Sequence, residues 1–414
     1  GLVPISAMGQ SMPYTFSANT AAKASEVNAN FAYLLERFGG IRETTVNCGT
    51  SGTGSGINSA IQNGYNSIVI NGICKENIKL DGREGNTPRL LKLRGANNDY
   101  TKDKIIDNSS YTDHVVNVLF DGIVVTIDNL TLSGGNRTVR SWGPNMFRME
   151  NVKVNDYKQR GIHMTEGSVI DGYNLIIDGS NSSADSSERG IWLALQSYGW
   201  FENLQISNNS WCGLCLWENS QTRLNGSHSI SGNGVGIYIG LASSLANSSN
   251  ITINNSADYG MHVDQGMVNS WDSSITITNT TSGKAFNAWL SNIVISDLTA
   301  TGDGSTGESL VVINQSSSNF ENLNINNSGN DGIESDQSVI NVDNLTAKNN
   351  RGDGIDASRT NLTVNNSTIS DNNGNGIGLH NVSNLTLNSS IVSSTNDICI
   401  FASRGSFFDV KGTS

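Results

Sequence analysis

Gly332-Ile333-Glu334-Ser335-Asp336, Gly354-Ile355-Asp356-Ala357-Ser358 and Gly376-Ile377-Gly378-Leu379-His380 are three versions of one phrase, each 22 residues after the last. A small residue precedes a large apolar one, and the positions that follow alternate as in a strand with one buried face. Working outward, the same pair recurs at Gly161-Ile162, Gly190-Ile191, Gly213-Leu214, Gly236-Ile237, Gly260-Met261, Ala285-Phe286, Ser309-Leu310 and Asp397-Ile398. After one step of 29 residues the spacing stays between 21 and 25. Each interval holds a second alternating run, such as Leu204-Gln205-Ile206, Ile251-Thr252-Ile253, Leu323-Asn324-Ile325 and Leu385-Thr386-Leu387. One repeat is therefore one coil of strands separated by turns, and stacked coils bury a thin continuous core.

Composition agrees. Apolar residues are 36% of the 414, few for one globular core, yet charged residues are only 15%, too few for a disordered chain. Polar residues recur about five before the small residue, at Asn208, Ser231, Asn255, Asn327, Asn349 and Asp371. Asn tolerates the left-handed backbone that such turns need, and stacked amides can hydrogen-bond between coils. The four prolines, Pro4, Pro13, Pro88 and Pro144, all precede the counted repeats, where a missing N–H would break a ladder.

The net charge of −12 repels phosphate backbones and anionic membranes, which argues against nucleic acid as a partner, and it would repel an acidic polysaccharide as well unless a local basic patch or a bound cation intervenes. No run of 18 apolar residues exists to span a membrane. Cys48 and Cys74 are spaced to close a bridge, which implies an oxidising compartment and a secreted or cell-surface protein. Cys212-Gly213-Leu214-Cys215 has redox spacing, but it lies inside a strand repeat rather than at a helix N-terminus. Cys399 has no partner in a simple scheme.

Residues 1–16 read as an extended leader with the small-residue pattern of a secretory signal's tail. Residues 17–43 hold an expected helix, Ala21 to Phe38, whose stripe of Val27, Phe31, Leu34, Leu35 and Phe38 either covers an end of the solenoid or joins chains into an oligomer. Residues 44–414 form the coils. A second short helix is expected at Gly56 to Gln62, after a Gly-rich Cys48–Gly56 loop. The strands that follow include Asn77-Ile78-Lys79-Leu80, Leu91-Lys92-Leu93-Arg94-Gly95-Ala96 and the run Val125 to Gly134. This order resembles the opening of pectin-lyase-like proteins, in which a short helix caps the first coil. The expected fold is thus all-β, a single-stranded right-handed parallel β-helix with a short N-terminal α-helical segment. The resemblance is specific for fold and nearly silent on substrate.

In such a strand the residue after the buried apolar one points outward, and coils stack ~4.8 Å apart, so outward residues form rows. One row reads His163, Trp192, Cys215, Tyr238, His262, Asn287, Val311, Glu334, Asp356, Gly378 and Cys399; a parallel row includes Thr165, Trp217, Asp264, Trp289, Asp336 and His380. Trp192, Trp217 and Trp289 suit sugar rings, whose C–H groups pack on π faces. Arg160 and Arg189 occupy equivalent places in successive coils and suit a uronate carboxylate. Cleaving a uronate chain by β-elimination needs a neutralised carboxylate, a base and an acid. The expectation is Arg160 or Arg189 for the first, His163 or His262 for the second and Tyr238 for the third, with Asp264 orienting His262 or binding a cation. A separate acidic patch of Glu334, Asp336 and Asp356 suits glycosidase chemistry or Ca²⁺. The Asp-Asp, Gly-His-Gly and Arg-x-Lys signatures of polygalacturonase-like hydrolases are absent, and no lysine stands in the row. The reading is an exported protein acting on an acidic polysaccharide, a lyase before a hydrolase, with a non-catalytic surface fibre as the alternative.

Overall fold

The computed structural model describes residues 40–84, 87–120, 122–180, 187–305 and 307–412. The leader and the helix expected before residue 40 lie outside them, as does part of the 29-residue step. Among the described residues the strands pair in parallel into two sheets. A 14-stranded sheet runs from Ile78–Asp81 to Ile400–Ala402, one strand per coil. The other, 26-stranded, generally takes two strands from each coil across a bend, such as Met146–Glu150 and Lys153–Asn155. The inward residues make one continuous core from Val46 to Val392.

The small residue of the repeat has a steric cause. A Cβ on Gly190 would stand 2.6 Å from the carbonyl oxygen of Gly213, one on Gly213 2.7 Å from that of Gly236, and one on Gly236 2.5 Å from that of Gly260. Each coil's backbone is thus pressed against the next at this column, and glycine is what fits. The expected left-handed turns are present: Asn208, Asn255, Asn327, Asn349 and Asp371 have φ between 53° and 60°. At Ser231 the positive φ falls instead on the following Gly232. The longest amide ladder lies at a different corner. There the side chain of Asn151 donates to Asn129, Asn174 to Asn151 and Asn203 to Asn174, at 3.1, 2.9 and 3.0 Å.

The helix Ile57–Gln62 forms where expected and buries Ile57, Ala60 and Ile61 against the first coil. The N–H groups at its start are satisfied by buried Glu76, which accepts from the amides of Gly56, Ile57 and Asn58 at 2.8–2.9 Å. The segment read as a Gly-rich loop is mostly strand, Glu43–Gly54, paired with Ser67–Lys75 through register shifts and tied to it by the Cys48–Cys74 disulfide. The prolines also need correction. Pro88 and Pro144 lie among the coils, which begin well before residue 160, and sit between strands where no ladder N–H is needed.

Two row positions shift. Val311 pairs with Phe286 and faces the core, so Val312 is the outward residue between Asn287 and Glu334. At the far end Phe401, not Cys399, stands beside Gly378.

Candidate functional site

The outward face of the 14-stranded sheet carries two registered columns. One runs His114, Arg137, Arg160, Arg189, Cys212, Val235, Tyr259, Lys284. The other runs Asn117, Arg140, His163, Trp192, Cys215, Tyr238, His262, Asn287. Both flank the glycine column, whose tight packing brings them onto one face three residues apart.

At one end four arginines gather, half-buried: Arg137, Arg140, Arg160 and Arg189. Burial depresses the first two below the usual arginine range, and Arg140 adds to the effect at Arg137. One Arg160 nitrogen lies 3.2 and 3.1 Å from the two ring nitrogens of His163, over the ring rather than in line with one lone pair. His163 is only 7% exposed. Burial first, and then Arg160, Arg137 and Arg140, push its pKa well below the usual value, so the ring stays neutral. Its place beneath Arg160 makes it support for the arginines and removes it from reach as a base. Burial, then Arg140 and Arg137, push His114 down to about 4.

The arginines pass into an aromatic stack. Arg160 and Arg189 lie 4.8 and 4.3 Å from the Trp192 ring, and Arg189 lies 4.1 Å from Trp211. Trp192 stacks on Trp217 at 6.1 Å, Trp217 on Tyr238 at 5.4 Å, and Tyr238 on His262 at 5.3 Å with planes 5° apart. Mutual stacking leaves these rings half-buried, whereas Trp289 is 45% exposed and, among the described residues, has no ring stacked on it. Beneath the stack Cys212 and Cys215 are joined as a disulfide, buried against Trp192, Trp211, Tyr238 and Tyr259. Trp200 stands on the other sheet beside Tyr173 at 4.7 Å.

At the other end of the stack the chemistry concentrates. Burial, followed by the nearby Asp264 carboxylate, raises the Tyr238 pKa to about 12. Asp264 thus acts on Tyr238 and, as a nearby opposite charge, on His262 as well. The His262 Nδ1 lies 3.0 Å from the Asn287 side-chain nitrogen, which donates to it and leaves the proton on Nε2. Burial lowers the His262 pKa; Asp264 opposes this and Lys284 reinforces it. Lys284 is the lysine missing from the sequence reading. It stands one coil beyond Tyr259 and pairs with Glu308 at 3.1 Å.

The acids of the later coils are only partly gathered. Glu334 and Asp356 are registered neighbours, and His380 lies 3.4 Å from Asp356. Asp336 is drawn off by both arms of Arg359. Buried Asp331 and its neighbour Asp353 serve the backbone: Asp331 accepts the Asp353 amide at 2.7 Å and Asp353 the Asn375 amide at 2.6 Å. Among the described residues no three Asp, Glu, His or Cys side chains are disposed to hold a metal ion. No described helix is long and apolar enough to cross a membrane.

No curated protein matches the sequence. Among solved structures, the periplasmic alginate epimerase AlgG is similar over 94% of this chain and 88% of its own, with 11% identity and a TM-score of 0.35. The catalytic unit of a GH87 α-1,3-glucanase from Streptomyces thermodiastaticus strain HF3-3 is similar over 89% of this chain and 68% of its own, with 12% identity and a TM-score of 0.31. The family model of the right handed beta helix region matches residues 137–299 and 308–414. With its parallel ladders and one-coil repeat, the chain belongs to the right-handed β-helix family.

Proposed function

We propose that this face binds an acidic polysaccharide along the solenoid axis and cleaves it by β-elimination. The observation that carries the reading is the gathering of Arg137, Arg140, Arg160 and Arg189 on one face of a chain with net charge −12, at the head of a continuous aromatic stack. Guanidinium groups so placed are paired by carboxylates of a ligand chain, while Trp192 and Trp217 receive sugar rings. The cleaved residue lies over Tyr238 and His262. Lys284 exchanges Glu308 for the sugar carboxylate, and neutral His262 removes the C5 proton through Nδ1, giving up the hydrogen bond it accepts from the Asn287 amide. The C4–O bond breaks as the C4=C5 bond forms, and Tyr238 gives its proton to the leaving oxygen. Water returns that proton to Tyr238 and takes the one on His262. Arg189 lies two coils from Tyr238, ~10 Å away, which makes it a binding residue rather than the carboxylate-neutralising one. The Cys48–Cys74 disulfide supports an extracytoplasmic location.

The test is ultraviolet absorbance of unsaturated product on a panel of uronate-containing and neutral polysaccharides, with and without Ca²⁺, alongside a reducing-end assay. Rising absorbance that disappears in His262→Ala supports the lyase. New reducing ends without absorbance would move the chemistry to Glu334 and Asp356, the latter with its pKa raised by burial. Silence in both would leave the non-catalytic fibre.

A further inference from the structure

The opposite sheet carries a feature that the proposed lyase face does not use. Strand Met267–Thr278 pairs with Asn292–Thr301 on both sides of an irregularity between Ser270 and Ser274. Within it Asp272 has φ 48°, and its amide donates to the Ser296 hydroxyl at 3.2 Å. The extra residues are expelled from the ladder, which turns Trp271 outward; it is 56% exposed. Among the described residues no ring or guanidinium stacks on it, unlike Trp192 or Trp217.

The indole borders a concave crease of about 370 Å³, within the size range of small-ligand sites. Val294 lies in its floor, and Asn319, Asn341 and Asn365 line it with Glu321 and Asp343. Asn341 donates to Asn319 at 2.8 Å, so these two amides are held in register across coils, while Asn365 is registered with Asp343. The chemistry is that of a hydroxyl-rich, uncharged ligand: a flat π face for C–H groups, amides that donate and accept, and carboxylates that accept from hydroxyls. Those two carboxylates repel a polyuronate, which separates this surface from the arginine-rich face. We infer that the Trp271 crease is a second carbohydrate site, specific for a neutral oligosaccharide, on the sheet opposite the arginines.

The test is titration calorimetry of the full chain with neutral hexasaccharides (xylo-, cello-, manno- and laminarihexaose) and with a uronate hexasaccharide. At least one neutral probe is expected to bind, with a loss of tenfold or more in Trp271→Ala and little change in Arg160→Ala. The uronate probe is expected to show the reverse. Trp271 is exposed, so the variant should keep the thermal midpoint of the parent; Asn341→Ala provides a second variant at the crease. No binding of any neutral probe overturns the inference, as does binding that survives both crease variants or is lost in Arg160→Ala.

Discussion

Replacing Tyr238 with Phe removes one oxygen and leaves the ring that stacks between Trp217 and His262 at 5.4 and 5.3 Å. Substrate binding should therefore survive while proton donation to the leaving oxygen is lost. A positioned general acid contributes about 10²–10⁴-fold, so kcat should fall by that factor with KM unchanged. The pH profile gives an independent check on the sign. His262 must be neutral to act as base, and burial sets its pKa below the ordinary 6.5, so activity rises with pH through a limb lying below 6.5. Tyr238 must be protonated, and it holds its proton up to about 12, so no falling limb from this group should appear at ordinary alkaline pH. The assay is the initial rate of unsaturated-product absorbance across pH for the parent and Tyr238→Phe. The variant should keep the rising limb at a lower level. Full activity in the variant, or a parent profile that falls through the carboxylate range as pH rises, would refute the assignment.

Other consequences are open to measurement. Gly236→Ala should destabilise by about 1–3 kcal/mol in urea melts, because its Cβ would meet the Gly260 oxygen and the Ile253 methyl at 2.5 Å, whereas Gly307→Ala, with nothing within 4 Å, should be near neutral. Buried His228 has its pKa pushed down to about 4, so between pH 6.5 and 4 the unfolded chain binds a proton that the folded chain refuses. Stability should fall across that window as pH drops, by up to about 3 kcal/mol for this residue, and His228→Asn should flatten the slope. Asp331, raised to about 6, acts in the opposite sense, stabilising as pH falls from 6 towards 3.8, so Asp331→Asn should steepen the loss. Arg137→Ala and Arg140→Ala should each weaken retention on an anionic polysaccharide and its dependence on salt without altering retention on a neutral one.

The glycine–apolar phrase is legible in the sequence because a carbonyl of the next coil stands where a Cβ would be, a constraint repeated at every coil that carries it. Phase is lost where that mark is missing. Leu310-Val311-Val312 is apolar throughout, so the pattern cannot say which valine faces out, and the ladder with Phe286 decides it. The coil Arg137–Trp142 has Thr138 in place of glycine, its hydroxyl tied to the Gly134 oxygen at 2.8 Å, and so escapes the count. Half of the arginine cluster is missed with it. The recoverable signal was the spacing: Arg137-x-x-Arg140, Arg160-x-x-His163 and Arg189-x-x-Trp192 are one motif in three registered coils. Alternation also cannot tell exposure from stacking. It places Trp192, Trp217 and Trp289 alike, although only the first two share a stack. Trp271 belongs to no row because the irregularity beside it breaks the alternation on which rows are read.

The overall charge of −12 argues against an acidic ligand only if the charge is felt everywhere. A solenoid does not average its charge as a sphere does, because each coil is fixed in place along one axis. From Arg189 to Glu334 there are six strand steps in the 14-stranded sheet, about 29 Å at ~4.8 Å each. The screening length at physiological salt is about 8 Å, so the acids of the later coils are nearly invisible to the arginines. The local field at Arg137, Arg140, Arg160 and Arg189 is therefore set by their own coils, where it adds to burial, the larger cause, in holding His114 and His163 neutral. The same separation explains why Asp331 and Asp356 can keep raised pKa values at the other end without compensation from those arginines. Charge segregation along the axis lets one strongly acidic chain present a cationic face, so the net charge of −12 does not argue against the anionic polymer proposed as its ligand.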